Sequence, residues 1–592
     1  MKLVKLNYSD SLSASPESVG DWEEIPVSPR EFFDKFIDEP LFPKQQEFVD
    51  ACIGEDPLVW DDKFQEGIAL WGKGSGKDKT AAKIMLYVVY KLLCMKDPYK
   101  MLGLGGTGDK IEVGNVCINA KLAKAVFFKY FVNLVKKTIN PKTKKNWFYE
   151  RGLNSKKDIH KRDIEFPKNI TAYSLDSKEY TGEGLNLLLI IYDEIAGFEV
   201  TKAKDLYDAL KTTARSRFPK HMKILLLSYK RADTDFMITR FKQAEFEPST
   251  FRSGPYATWD VNPRRTKEDF VSDYIADAQT AERIYECKGD TSEGGYFPYR
   301  TRISQVINSS NRINPVIEDK TNVIDLRTLA FKDFFKPEIA ASYYMHVDLA
   351  KGGKGNDACG LALGHFKRGM MVKMPDDFIK ALSQETGLTE EAIRLQQGIK
   401  KVGAIIDLVL QLKAPPGGEI MFEEVRAFIE RLRRIEKFPI QMVTYDGWQS
   451  IDSIQQLRRA GVNAQEQSVD KDLKAYDTLK RTINEGIFEC YFHKTLVREL
   501  CELQLIDGKK VDHPVVSPDR ALYEDNINKG SKDVADAVAG CVRLCIEHGK
   551  SEFKFWSGSF QPPTDPMRQP VKYEAEKLIR YGESPPPWYK KK

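Results

Sequence analysis

From Leu41 onward the chain alternates short, mostly apolar runs with amphipathic helical stretches. In the first half the runs are residues 67–70, 112–118, 187–192 and 224–227. Apolar runs of this length between helical patterns fit strands buried on both faces. A parallel sheet covered by helices is therefore expected. Residues 309–336 turn polar and irregular and read as a linker. A second alternating block starts at Tyr343, with runs at 344–347, 359–363, 404–408 and 441–444 and a helical pattern over 422–435. Residues 367–401 are charged, helical in pattern and expected as an insertion between strands. The expected division is an extension (1–38), a first domain (39–308), a linker (309–336), a second domain (337–549) and a flexible Pro- and Lys-rich tail (550–592) that could dock a partner.

Composition narrows the class. A chain of 592 residues is too long for one core, and 42% apolar with 30% charged residues fits a soluble globular protein. No run of ~18 apolar residues predicts a membrane span, and residues 1–10 lack a signal-peptide core. Nine scattered cysteines without a CxxC pair predict reduced thiols in a cytosolic protein, with neither a zinc site nor a disulfide framework. The net charge of +5 is uneven: residues 121–162 carry 13 Lys/Arg against two acidic residues, Glu150 and Asp158. Phe127, Phe128, Tyr130, Phe131, Trp147, Phe148 and Tyr149 are interleaved there. Such a segment either tracks a phosphate backbone or is a solvated helix face whose aromatics are core.

The run Trp71-Gly72-Lys73-Gly74-Ser75-Gly76-Lys77-Asp78 lies between an apolar strand and a helical pattern over 81–93. Strand, glycine-rich loop and helix make a phosphate cradle: backbone N–H groups converge, the lysine reaches the β/γ-phosphates and the helix dipole favours anions. Asp78 occupies the place of the usual Ser/Thr that binds Mg²⁺. The run Leu187-Leu188-Leu189-Ile190-Ile191-Tyr192 ends in Asp193-Glu194, at the sheet edge where α/β proteins bind ligands. There Asp193 would support Mg²⁺ and Glu194 would orient or deprotonate water. Ser228, at the end of the next run, senses a γ-phosphate or simply ends a strand. Gln45 in Leu41-Phe42-Pro43-Lys44-Gln45 reads adenine or is a surface amide.

In the second block Asp348 and Asp446 again end strands, and Asp533 and Asp536 open an Ala-rich helix. A spacing of three places the last two on one helix face. Carboxylates on such a scaffold could hold two Mg²⁺ or Mn²⁺ ions ~3.5–4 Å apart for phosphodiester cleavage. Oxygen donors with few histidines favour hard cations over zinc. Asp357 is either an accessory ligand or a turn cap.

The order of these motifs resembles the large subunit of tailed-bacteriophage terminases, over roughly residues 40–545. The resemblance rests on Phe42-Pro43-Lys44-Gln45, the loop, Tyr192-Asp193-Glu194, Ser228 and Thr258-Trp259-Asp260-Val261-Asn262-Pro263. It continues through His346-Val347-Asp348-Leu349-Ala350, Tyr445-Asp446-Gly447, Val511-Asp512-His513-Pro514 and Ser531-Lys532-Asp533-Val534-Ala535-Asp536-Ala537. It implies a RecA-like, additional-strand (ASCE) P-loop ATPase domain followed by an RNase H-like, resolvase-type nuclease domain. ATP contacts are implied for Gln45, Gly72, Lys73, Gly74, Ser75, Gly76, Lys77, Asp78, Lys79, Asp193 and Ser228. Catalytic roles are implied for Lys77, Glu194, Asp348, Asp446 and Asp533, with Asp193 on Mg²⁺ and Asp348, Asp446, Asp533 and Asp536 at the two nuclease metals. The implied partners are double-stranded DNA, a portal protein, a small terminase subunit and further copies of the chain in a ring on the procapsid, in the host cytoplasm.

Three departures stand out. Asp78 either approaches Mg²⁺ itself, directly or through water, or leaves that role to Thr80. Lys73 replaces an arginine common in the loop of relatives, which keeps charge and loses the bidentate fork. A transition-state arginine is therefore not given by the loop, and Arg215 and Arg217 are either candidates that could act on a neighbouring subunit or surface residues. Two other readings fit the motifs: a helicase-type ATPase fused to a resolvase-like nuclease, and an ATPase with a non-catalytic docking module.

Overall fold

The computed structural model describes residues 19–60, 63–104, 109–117, 127–176, 184–231, 235–288, 295–317, 325–349, 358–414, 418–447, 450–506, 510–513 and 531–556. Seven strands form the first sheet: β1 (Glu66–Trp71), β2 (Ile111–Cys117), β3 (Asp163–Phe166), β4 (Ile170–Asp176), β5 (Leu187–Asp193), β6 (Lys223–Ser228) and β7 (Thr250–Tyr256). Their order is β3-β4-β2-β5-β6-β1-β7, parallel throughout except for β3 against β4. The four apolar runs of the first half are β1, β2, β5 and β6. One strand, β6, stands between β1 and β5, which is the additional-strand arrangement. Register pairs Leu70 with Ser228 and Asp193 with Leu227. The loop after β1, the carboxylates after β5 and Ser228 therefore share one edge.

The helix Lys77–Cys94 is buried along almost its whole length, because neighbours cover both sides. One neighbour is the short helix Pro29–Lys35, started by Ser28, whose side chain accepts from Glu31 N, and by Pro29 in the first turn. Trp22, Phe32, Phe33, Phe36 and Ile37 join the first core. The stretch expected as an extension thus contributes structure from Trp22 onward. Phe127, Phe128, Phe131, Trp147 and Phe148 are buried in the same core. Five of the seven aromatics of the basic segment are therefore packing residues, as in the second of its two sequence readings, while Tyr149 is exposed; residues 118–126 lie outside the described residues.

The second sheet contains β8 (Tyr343–Asp348), β9 (Cys359–Met371), β10 (Lys400–Leu412), β11 (Ile440–Tyr445), β12 (Ala464–Glu466) and β13 (Phe488–Cys490), in the order β12-β11-β8-β9-β10-β13. Strand β9 is antiparallel to β8 and β10, and the remaining pairs are parallel. Counted from β8, strands one to five lie in the order 3-2-1-4-5, with the second reversed: the RNase H-like arrangement. Strands β9 and β10 run further than expected, so 367–371 and 400–401 are strand and not helix. Their outer ends project with exposed residues and lack the apolar signal of a covered strand. Helices Asp376–Thr386 and Glu390–Arg394 fill the turn between them.

Core membership crosses the expected boundary. Tyr296, Phe297, Ile303, Val306 and Ile307 pack in the second domain's core, and Leu326, Leu329 and Phe335 of the expected linker cover its other face. Val271, Tyr274 and Ile275 pack with Phe378, Ile379 and Leu382. The segment after β7 is thus divided: Val261 and Cys287 stay in the first core, and 271–281 and 296–307 are built onto the second domain. Among the described residues no helix is long and apolar enough to cross a membrane.

Candidate active sites

The loop between β1 and the helix Lys77–Cys94 turns on Gly74 and Gly76, at φ of +92° and +90°. A side chain on Gly72 would put its Cβ 2.1 Å from Tyr285 O, so the loop can lie against that backbone only as glycine. Lys77 Nζ donates to Trp71 O (3.3 Å) and Gly72 O (3.2 Å) and stands 4.0 Å from Glu194 Oε1. Only 3% exposed, it is a fixed cation beneath the loop. Gln45 Nε2 donates to Ser75 O at 2.8 Å, and its Oε1 accepts from Phe42 N. The amide is buried and braces the loop, so it is not a surface glutamine. Beside the loop lies a cavity of ≈ 520 Å³, within the range of small-molecule sites, lined by Phe42, Gln45, Lys79, Lys83 and Arg264 among others.

Asp193 and Glu194 close β5 opposite Lys77. Burial, Asp78 and then Glu194 push Asp193 well above the usual carboxylate range, with Lys77 pulling the other way. Asp78 thus sits beside Asp193, and the position of the missing hydroxyl brings in a second carboxylate. The Thr80 hydroxyl donates to Gly76 O at 3.1 Å. Burial also raises Glu194, whose backbone holds φ +57° and so aims the carboxylate back toward the loop. Asp193 Oδ1 and Glu194 Oε2 are buried without a hydrogen-bond partner among the described residues. Orphaned carboxylate oxygens facing a phosphate loop fit a hard cation and an attacking water. Ser228 Oγ accepts from Ala196 N at 3.3 Å and ties β6 to the turn that carries Glu194.

Sequence reasoning missed several supports. Thr258 Oγ1 donates to Lys73 O (2.9 Å), and Asn262 Nδ2 donates to Gly74 O (3.1 Å). The Thr258–Asn262 motif was visible, but its grip on the loop was not. Cys117, at the end of β2, stands 3.9 Å from Asp193 Oδ2 and 3.1 Å from Asn115 Oδ1. Arg215 and Arg217 close the helix Val200–Arg217 and are exposed, the surface placement that was one of their two readings. That helix leads to the first residue of β6, whose far end is Ser228. Both arginines therefore lie at the sheet edge opposite their own loop.

The second site is built at the carboxyl ends of β8 and β11. Asp446 N donates to Val347 O at 3.2 Å, which sets Asp446 beside Asp348. Asp348 pairs with Gly360 across β8 and β9. A Cβ on Gly360 would lie 1.9 Å from Asp533 O, so the bare glycine lets the helix Asp533–Trp556 begin over Asp348. Asp348 is held far above the ordinary carboxylate range by burial and by Asp536, Asp533 and Asp446, countered by Lys532. The four predicted carboxylates converge. Asp446 Oδ2 accepts from Val469 N (3.1 Å), and Asp533 Oδ2 from Ser531 Oγ (2.9 Å). Asp536 is pushed up to about 6, mainly by burial, and is held by Lys532 at 3.1 Å and by the Tyr476 hydroxyl. This all-oxygen donor set with excess negative charge fits divalent hard cations.

Among the described residues, the one His/Asp/Glu trio with ligand atoms all within 4.8 Å of one another is His160, Asp163 and Glu165, near β3. Asp348, Asp446 and Asp533 do not meet that spacing. Glu499 was also missed: its Oε2 accepts from Ala535 N (2.8 Å), its Oε1 lies 2.7 Å from Ser531 Oγ and shares that single hydroxyl proton with Asp533, and these contacts cap the helix that carries Asp533. Asp357 lies outside the described residues, as do 514–530 of the final motif block.

Together the fold and the sites define a P-loop domain of the additional-strand type joined to an RNase H-like domain. A family model described as the N-terminal P-loop domain of uncharacterized protein MJ0330 matches residues 6–287. The uncharacterized protein MJ0330 of Methanocaldococcus jannaschii is 22% identical over 510 residues, covering 81% of this chain and 78% of that one. Among solved structures, the HK97 bacteriophage large terminase is 16% identical, with 87% of this chain and 99% of that chain covered and a TM-score of 0.34. The large terminase of a thermophilic bacteriophage, in complex with ADP, is 12% identical, with 85% and 98% covered and a TM-score of 0.48. The large terminase nuclease of another thermophilic phage, G20c, with bound magnesium is 12% identical, with 42% and 97% covered and a TM-score of 0.24. In the order of its domains and motifs the chain is similar to terminase large subunits; its fold class rests on the two strand orders.

Proposed function

We propose that this chain is a DNA-packaging motor and nuclease: its first domain hydrolyses ATP to move duplex DNA into a procapsid, and its second cuts concatemeric DNA with two divalent cations. The observation that carries the reading is the coexistence of two charge-opposed sites in one chain. One sets Lys77 against Asp193 and Glu194 under a phosphate loop. The other gathers Asp348, Asp446, Asp533 and Asp536 at a strand–strand–helix junction.

In the first site Lys77 and the loop amides would bind phosphates, Asp193 with Asp78 would hold Mg²⁺, and Glu194 would orient water and take its proton. Bound Mg²⁺ would supply charge neutralisation at the phosphates. In the second site Asp348, Asp446 and Asp533 would hold two Mg²⁺ or Mn²⁺ ions. Those ions would supply an activated water and a stabilised leaving oxygen. The partners on this reading are a portal, a small recognition subunit and further copies of the chain in a ring, in the host cytoplasm.

The test is protection of duplex DNA from added nuclease by portal-bearing procapsids, ATP and the full chain. Protection that requires hydrolysable ATP supports the motor. Strand separation without protection supports the helicase–nuclease reading instead.

A further inference from the structure

Strand β6 ends at Ser228, and Tyr229, Lys230 and Arg231 run on from its carboxyl end. The buried Tyr229 ring has two cations against it: Lys77 Nζ lies 5.3 Å from its centroid and the Arg231 guanidinium carbon 5.4 Å. The Arg231 backbone is pinned, because its N–H donates to Asp235 Oδ2 at 3.0 Å. Asp235 Oδ1 in turn accepts from Ile238 N at 2.8 Å and caps the helix Phe236–Gln243. The side chain itself is exposed and hydrogen-bonds to Tyr229. Arg231 is thus a cation with a fixed root and a head held on the Tyr229 side chain, one tyrosine ring away from the P-loop lysine.

We propose that Arg231 is a transition-state arginine acting in cis, its guanidinium meeting the oxygens of the transferring γ-phosphoryl group. In that step a bond forms between the water oxygen and phosphorus while the bond to the β–γ bridging oxygen breaks. The electron pair of the broken bond leaves with ADP, and the water proton passes to Glu194. Charge grows on oxygens at the rim of the loop, where a planar five-donor fork stabilises it better than a second ammonium. Lys77, committed to Trp71 O and Gly72 O, holds the ground-state phosphates from below. Arg215 and Arg217 cannot take this role within the same subunit, since they lie at the opposite sheet edge. The proposal deepens the ATPase reading and rests on it.

The test uses the full chain with Arg231→Ala and Arg231→Lys, measuring kcat, KM, ADP affinity and formation of the ADP–aluminium fluoride complex, with thermal melting as the folding control. The expected result for Arg231→Ala is a fall in kcat on the order of 10³-fold, ADP affinity within about threefold of wild type, and loss of the aluminium fluoride complex. Arg231→Lys should recover only a minor part of the rate, and it carries the test if the alanine variant fails to melt cooperatively. A kcat within about twofold of wild type overturns the assignment, as does a loss of ADP affinity as large as the loss of rate. A wild-type chain that neither binds ADP nor hydrolyses ATP removes the ATPase reading itself, an outcome separate from either.

Discussion

Lys77 Nζ stands 4.0 Å from Glu194 Oε1, so the buried cation of the loop faces the carboxylate that closes β5. Replacing Glu194 with glutamine keeps the shape and removes the proton acceptor. Glu194→Gln should lower kcat for ATP by about 10²–10⁴-fold while leaving nucleotide affinity nearly unchanged. Steady-state hydrolysis beside equilibrium binding of a fluorescent ADP checks this. A parallel loss of affinity and rate would make Glu194 a binding residue.

Gly360 is the contact that lets Asp533 approach Asp348. Gly360→Ala must push the start of the helix Asp533–Trp556 away from β9, and a shift of ~1 Å at a catalytic constellation costs about 10²-fold. Metal-dependent DNA cleavage should fall by that order, with ATP hydrolysis at wild-type level. Unchanged cleavage would mean that Asp533 need not sit over Asp348.

Glu499 is buried and raised from the ordinary 4.5 to about 8, chiefly by burial. The folded chain then keeps a proton that the unfolded chain releases. Its stabilising contribution is full below 4.5 and is lost as pH climbs through about 8. Asp536, raised to about 6, acts in the same direction over a lower window. In chelator, the stability of the second domain should therefore decline from pH 5 to 8, with a slope of up to ~1.4 kcal/mol per pH unit for each such group. Glu499→Gln should flatten the decline, which melting curves at several pH values will show. An equal slope in the variant would remove Glu499 as its source.

Lys480 Nζ, itself buried, lies 2.8 Å from Oδ2 of the partly buried Asp277, and the pair joins the segment after β7 to the helix Lys474–Glu485. Removing the lysine strands that carboxylate without its cation, so Lys480→Met should cost about 3–5 kcal/mol. Adding Asp277→Asn should recover much of that loss. A double-mutant cycle on chemical denaturation measures the coupling, and strictly additive losses would deny it.

Much of this is readable in one dimension. An all-apolar strand ending in Asp193-Glu194 and a glycine-rich turn ending in Lys77 are local patterns, so both halves of the first site are visible in the sequence. Asp348 and Asp446 are legible as strand ends, and Asp533 and Asp536 as one helix face. The unread parts depend on contacts distant in the chain. Glu499 meets Ala535 across 36 residues, and Thr258 reaches Lys73 across 185. The segment 296–307 joins the second core through partners that no local periodicity reveals. The outer halves of β9 and β10 read as helix because exposed strand ends lose the apolar signal. Arg231 carries no mark in the sequence, since its meaning lies in the Tyr229 ring it shares with Lys77.

Two separable chemistries in one chain are tested most directly by plasmid cleavage in Mn²⁺. The wild-type chain and Asp348→Asn are compared, with ATP hydrolysis followed in the same samples. Wild type should cut, Asp348→Asn should not, and both should hydrolyse ATP at the same rate. Cleavage that survives Asp348→Asn, or ATP hydrolysis that disappears with it, would contradict the two-site assignment.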